Sequence, residues 1–125
     1  MADYTKINFM DIDGGENEKS QKRFSRSLLN SRDLGVTLWR YAPNYQSPNA
    51  HSHEVQEEVY IVTAGNGRML LDNKTEELKK WDVVRVAPAT VRSFEAGPEG
   101  LELLIAGGPK PEGGDGKLAD ANWPT

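Results

Sequence analysis

From Val36 onward the chain divides into short β-branched or alternating runs, separated at fairly regular intervals by turn residues, and this is the signature of a sandwich or barrel. The runs are VTLWRYA (36–42), EVYIVTA (58–64), RMLLD (68–72), EEL (76–78), DVVRVAP (82–88), VRSFEA (91–96) and LELLIAG (101–107). Between them stand GNG (65–67), DNK (72–74), KKWD (79–82), PAT (88–90) and GPEG (97–100), each with turn chemistry. Helical periodicity is hard to find, so an all-β fold of hairpins joined by tight turns is expected. KRFSRSLLN (22–30) reads as a further strand or half-strand, and TKINFM (5–10) as an edge strand reaching back over the core.

The ends read differently. DIDGGENEKS (11–20) and GGPKPEGGDGK (107–117) are rich in Gly, Pro and charge, as solvated connections are. The expected organisation is an N-terminal segment over 1–21, one barrel over 22–107 and a flexible tail over 108–125, within the 125 residues that suit a single core. Trp123 is the exception in that tail, and docking on the barrel or on a second subunit is its expected role.

Composition narrows the chemistry. With no cysteine, disulfides, thiolate catalysis and sulfur-ligated metals are excluded, so any metal must be held by nitrogen and oxygen. A net charge of −4 offers no footprint for nucleic acid or an anionic membrane, which reward clustered Lys and Arg. A small-molecule ligand or a protein is the expected partner. No run is long and apolar enough to cross a bilayer and the start lacks a secretory pattern, so a cytoplasmic location is expected. There is no G-x-S-x-G elbow and no phosphate-cradling glycine loop.

Both histidines of the chain fall in one stretch, HSHEVQEEVYIVTAG (51–65). Strand alternation puts His51 and His53 on one face, where two imidazoles can converge on a cation. Glu54, Glu57 and Glu58 follow closely, and two neutral imidazoles with one carboxylate form the ligand set of non-haem iron and related divalent sites.

His51-Ser52-His53, four residues, Glu58, six residues and Gly65 together resemble the first motif of the cupins, small double-stranded β-helix barrels. The resemblance extends over about residues 36–107, and WDVVRVAPATVRSF (81–94) is similar to the second cupin motif. It implies that His51, His53 and Glu58 bind one divalent metal (Fe, Mn, Ni or Zn), that Glu57 points the other way, and that the chain is a homodimer. The second motif departs from the family. Trp81 and Ala89 replace its glycines, Arg92 replaces the histidine that is the fourth ligand, and in the first motif Tyr45 replaces the leading glycine.

Arginine offers only donors and cannot coordinate. About 5 Å from a dication it opposes binding by about 6 to 7 kcal/mol at an effective dielectric near 20. Three arrangements follow. The Arg92 guanidinium replaces the cation, bonds Glu58 bidentately and leaves the barrel metal-free; or a metal sits on His51, His53 and Glu58 while Arg92 swings outward to clamp a ligand anion; or Arg92 snorkels to the barrel mouth. Tyr60 and Val62 share the face of Glu58, and Phe94 that of Arg92, so Arg92, Tyr60 and Phe94 are the candidate ligand-binding residues, with a core role the competing reading for the two aromatics. Trp39 and Tyr41 share the face opposite Leu38, lining either the cavity or an intersubunit surface. The functional expectation is a module that holds a small polar or aromatic molecule in the barrel, or else a metal-dependent enzyme of dioxygenase or isomerase type; no catalytic residue is assigned.

Overall fold

Alternation along two long strands sets the architecture: on one, Tyr60 and Val62 are buried, and on the other Phe94, Leu101, Leu103 and Ile105. The computed structural model describes residues 1–15 and 17–124. Its elements are β1 (Ser20–Phe24), α1 (Arg26–Leu29), β2 (Gly35–Tyr41), β3 (Asn49–His53), β4 (Glu58–Leu71), β5 (Lys74–Lys79), β6 (Val83–Val86), β7 (Arg92–Gly107) and β8 (Gly116–Asp120). The sheet runs β1-β2-β7-β3-β8, and β4 pairs with β5, β6 and β7, all antiparallel. This curled all-β sheet is the expected double-stranded β-helix. Its core gathers Trp39, Tyr41, Tyr60, Met69, Phe94, Leu103 and Ile105 among others, so Trp39 and Tyr41 face inward.

GNG and GPEG are not hairpin turns. Both lie inside continuous strands, because β4 and β7 pair along two successive segments, Glu58–Gly65 with Leu101–Gly107 and then Gly67–Leu71 with Arg92–Ala96. Between these segments Asn66 alone stands against residues 97–100, and that offset bends both strands round a barrel corner. The corner needs glycine. Gly65 has φ 73° and any Cβ there would collide with the Gly100 carbonyl. DNK and KKWD are true turns: Asp72 Oδ1 accepts from Val91 N at 2.9 Å, and Asp82 Oδ2 accepts from Lys79 N at 2.9 Å.

Three further expectations are corrected. Residues 5–10 form no strand; a 3-10 helix, Phe9–Asp11, stands there, with the Asn8 side chain accepting from Met10 N. The run 22–30 stays extended only to Phe24, after which α1 begins and closes on Asn30 at φ 56°. The tail read as flexible contains β8, whose residues 116–120 pair in register with His53–Asn49 of β3. Trp123 docks on the barrel: its Nε1 donates to Ser47 O at 2.9 Å and Arg68 lies over its ring.

Candidate metal centre

Three strand pairings bring the site together. His51 is the residue of β3 that registers with Arg92 of β7, and Arg92 registers with Leu71 of β4. Glu58 is paired on both sides, with Val86 of β6 and Gly107 of β7, so its side chain is aimed across the barrel. The result is a cluster in which one ligand atom each from His51, His53 and Glu58 lies within 4.8 Å of the others. His51 Nε2 is 3.4 Å and His53 Nε2 3.3 Å from Glu58 Oε1.

His53 is oriented from outside the cluster. Its Nδ1 is 2.9 Å from Asp115 Oδ1, and the other oxygen of Asp115 accepts from Val55 N at 2.7 Å and Gln56 N at 2.9 Å. When His53 is neutral, a carboxylate accepting at Nδ1 places the proton there and leaves a lone pair at Nε2. That Nε2 is buried and has no hydrogen-bond partner. Asp115 precedes β8 directly, so the β3–β8 pairing carries it to the site. The two amide hydrogens and His53 hold its carboxyl well below the usual range, against the upward push of burial.

Arg92 meets the same oxygen of Glu58 that faces the two histidines, with none of its side chain exposed. Its Nη2 donates to Glu58 Oε1 at 2.9 Å, its Nε to Tyr60 Oη at 3.2 Å, and its Nη1 to Pro88 O at 3.0 Å and Thr90 O at 2.7 Å. This excludes both the outward swing and the snorkelling arrangement. The pairing with Glu58 is present but monodentate, because the Nε and Nη1 donors are spent on Tyr60 and on the turn that carries Arg92. Tyr60 Oη donates to Glu58 Oε1 at 2.6 Å, and burial and the Glu58 charge raise its phenol well above its ordinary value. Burial pushes Glu58 upward, yet hydrogen bonds from His51 and Tyr60, with the charges of His53 and Arg92, outweigh it and bring Glu58 down to about 2.

A cavity of about 760 Å³ opens over His51, His53 and Glu58, walled by β1, β2 and β8. Neither Arg92, Tyr60 nor Phe94 lines it. Phe94 packs in the aromatic core, its ring 5.0 Å from Tyr60 and 5.9 Å from Trp39, and Tyr60 turns its hydroxyl to Glu58. The cavity wall is instead Lys22, Trp39, Gln56, Ile105 and Asp115. Glu57 faces outward and pairs with Arg85. Asp115 and Lys22 are the residues that sequence reasoning passed over. Asp115 carries no periodic signal among its glycines, whereas alternation along a strand beginning at Ser20 would have put Lys22 on one face with Phe24.

A double-stranded β-helix with two histidines and a glutamate converging beneath its mouth is the architecture of a cupin. The family model for the cupin domain matches residues 37–106, more than half of the chain, and the protein belongs to that family. An uncharacterised protein of Methanocaldococcus jannaschii is 40% identical over 45 residues, a match covering 36% of each chain, so the shared stretch spans about a third of that relative. Among solved structures, a cupin protein from Bacteroides fragilis superposes with a TM-score of 0.70 at 22% identity, covering 89% of this chain and 87% of that one. The polyketide cyclase RemF from Streptomyces resistomycificus gives 0.73 at 16% identity over 96% and 87%. KdgF from a Halomonas species gives 0.71 at 14% over 90% and 98%. At these identities the likeness is one of fold. Among the described residues no helix is long and apolar enough to cross a membrane.

Proposed function

We propose that the protein binds one divalent cation through His51, His53 and Glu58 and holds a small polar molecule in the cavity above it. The observation that carries this reading is the buried, unpartnered Nε2 of His53. With its proton held at Nδ1 by Asp115, that nitrogen presents a lone pair to the Glu58 carboxylate 3.3 Å away. Two such groups repel unless a cation stands between them. Atoms bound to one ion at about 2.1 Å stand about 3.0 to 3.4 Å apart in octahedral to tetrahedral geometry, and the separations of 3.3 and 3.4 Å at Glu58 fall in that range.

Asp115 matches the outer carboxylate that usually supports a metal-bound histidine. Glu58 and Asp115 together outweigh the single charge of Arg92, so the cluster retains a net negative charge for a cation. Arg92 and Tyr60 hold Glu58 ionised and aimed. A bound cation supplies Lewis acidity to a ligand oxygen, the chemistry on which an enzymatic role of isomerase or dioxygenase type rests.

The ion pair between Arg92 and Glu58 favours a second reading, in which His53 is doubly protonated between Glu58 and Asp115 and the barrel binds its ligand without metal. Titration of chelator-stripped protein with Zn²⁺, Mn²⁺, Fe²⁺ and Ni²⁺, followed through the imidazole resonances, separates the two. Saturable shifts of both rings at one equivalent support the metal site, and unchanged rings support the metal-free module.

A further inference from the structure

Lys22 stands apart from the other cations of the cavity. Arg26 is spent on the carbonyls of Gly107 and Gly108 and Lys117 pairs with Glu54, while Lys110 and Lys22 are both exposed and only Lys22 of the four lies over an aromatic face. Lys22 projects from β1 beside its register partner Trp39 of β2, with Nζ 4.4 Å from the centre of the indole ring. Among the described residues no carboxylate lies within 4 Å of it. The same indole lies 5.9 Å from the His51 ring, so the ammonium, the indole and the candidate metal centre line one cavity in sequence.

Two further observations bear on what that wall receives. Trp39 Nε1, on the ring that Lys22 covers, is a buried donor without an acceptor. With Lys117 paired to Glu54, Lys22, Arg26 and Lys110 line the cavity against Glu58 and Asp115, which leaves it positive by one charge in a chain whose net charge is −4. A cleft of one sign in a molecule of the other concentrates its counter-ion.

We propose that Lys22 and Trp39 form an anion subsite that selects a small organic carboxylate, with the acid group on the Lys22 ammonium and the rest of the molecule reaching toward His51, His53 and Glu58. This rests on the cavity being the ligand site, as the proposed function has it. A single point charge against an aromatic face suits a monoanionic carboxylate better than a phosphate, which would need a fork of donors or a cradle of backbone amides.

Benzoate and its neutral isostere benzamide test the assignment by ligand-observed NMR at millimolar concentration, on the wild-type protein, Lys22→Met and Lys22→Arg, each assayed for metal content. Benzoate is expected to bind the wild-type protein about tenfold more tightly than benzamide, Lys22→Met to abolish the difference, and Lys22→Arg to retain most of it. Equal binding of the two probes to wild-type protein, equal benzoate binding by Lys22→Met, or no benzoate binding at all would overturn the subsite. Inorganic phosphate displacing benzoate at equal affinity would overturn the choice of carboxylate. Metal content is expected to be the same in all three proteins. Benzoate binding through Lys22 in protein that takes up no metal would retire the metal reading and leave the subsite standing.

Discussion

His53 is held between two carboxylates, with Nδ1 2.9 Å from Asp115 Oδ1 and Nε2 3.3 Å from Glu58 Oε1. In neutral His53 the first contact puts the proton on Nδ1, and in the proposed metal site the second marks where the cation would stand. A residue from the segment before β8 therefore completes a site whose other members lie more than fifty positions earlier in the chain.

Asp115→Asn keeps the shape but removes the charge that orients the imidazole. Loss of such an outer partner lowers metal affinity by about ten- to a hundredfold. Asp115→Ala also strands the Val55 and Gln56 amides, at a cost of about 1 to 3 kcal/mol. Metal titration and thermal unfolding of the two variants measure these effects separately.

Arg92→Met leaves Glu58 and the Pro88 and Thr90 carbonyls without their buried partner. The expected loss is about 3 to 5 kcal/mol in urea unfolding. Replacing Glu58 by Met as well recovers part of it, since no lone charge then stays behind. Arg92→His, in contrast, removes a cation beside the centre and is expected to raise metal affinity if the variant folds.

Acid tests the same cluster. Glu58 has an ordinary value of 4.5 and stands at about 2 in the folded chain. A carboxyl lowered by folding stabilises the native state above its unfolded value and loses that contribution as pH falls toward the folded one. Metal-stripped protein should therefore lose about 3 kcal/mol from this group as pH drops from about 4.5 to about 2. In Glu58→Gln that part of the pH dependence disappears, which chemical denaturation at a series of pH values would reveal.

Trp81 adopts φ 76° in the turn between β5 and β6, with its ring exposed. A left-handed conformation costs a residue with a Cβ about 1 to 2 kcal/mol, part of which glycine gives back through its greater freedom when unfolded. Trp81→Gly is expected to raise stability by about 0.5 to 1 kcal/mol in thermal melts. The glycine that resemblance to the family led one to expect here thus has a conformational reason, and the turn survives without it because Trp81 N donates to Val62 O and Asp82 closes the loop.

The barrel was legible because alternation and turn residues repeat along 36–107, and His51 and His53 because strand parity puts both on one face, whereas Glu58 was assigned by the resemblance to the cupin motif. The same resemblance put Arg92 at the position of the family's fourth ligand, but not its burial, which depends on carbonyls of the Pro88–Thr90 turn that no side-chain pattern encodes. Gly65 and Gly100 misled for a physical reason: positive φ serves a tight turn and a bend in a continuous strand equally well. β8 stayed hidden because all five of its residues are exposed, so it has no buried face to leave an apolar period. Asp115 was hidden with it.

Metal content per chain is the most direct measure of the central claim, read by elemental analysis of protein purified without chelators and of His51→Ala prepared in parallel. One divalent ion per wild-type chain, absent from the variant, is the expected result. Wild-type protein that carries no metal and takes up none on addition of a divalent salt would contradict it, and would leave His53 protonated between its two carboxylates in a metal-free barrel.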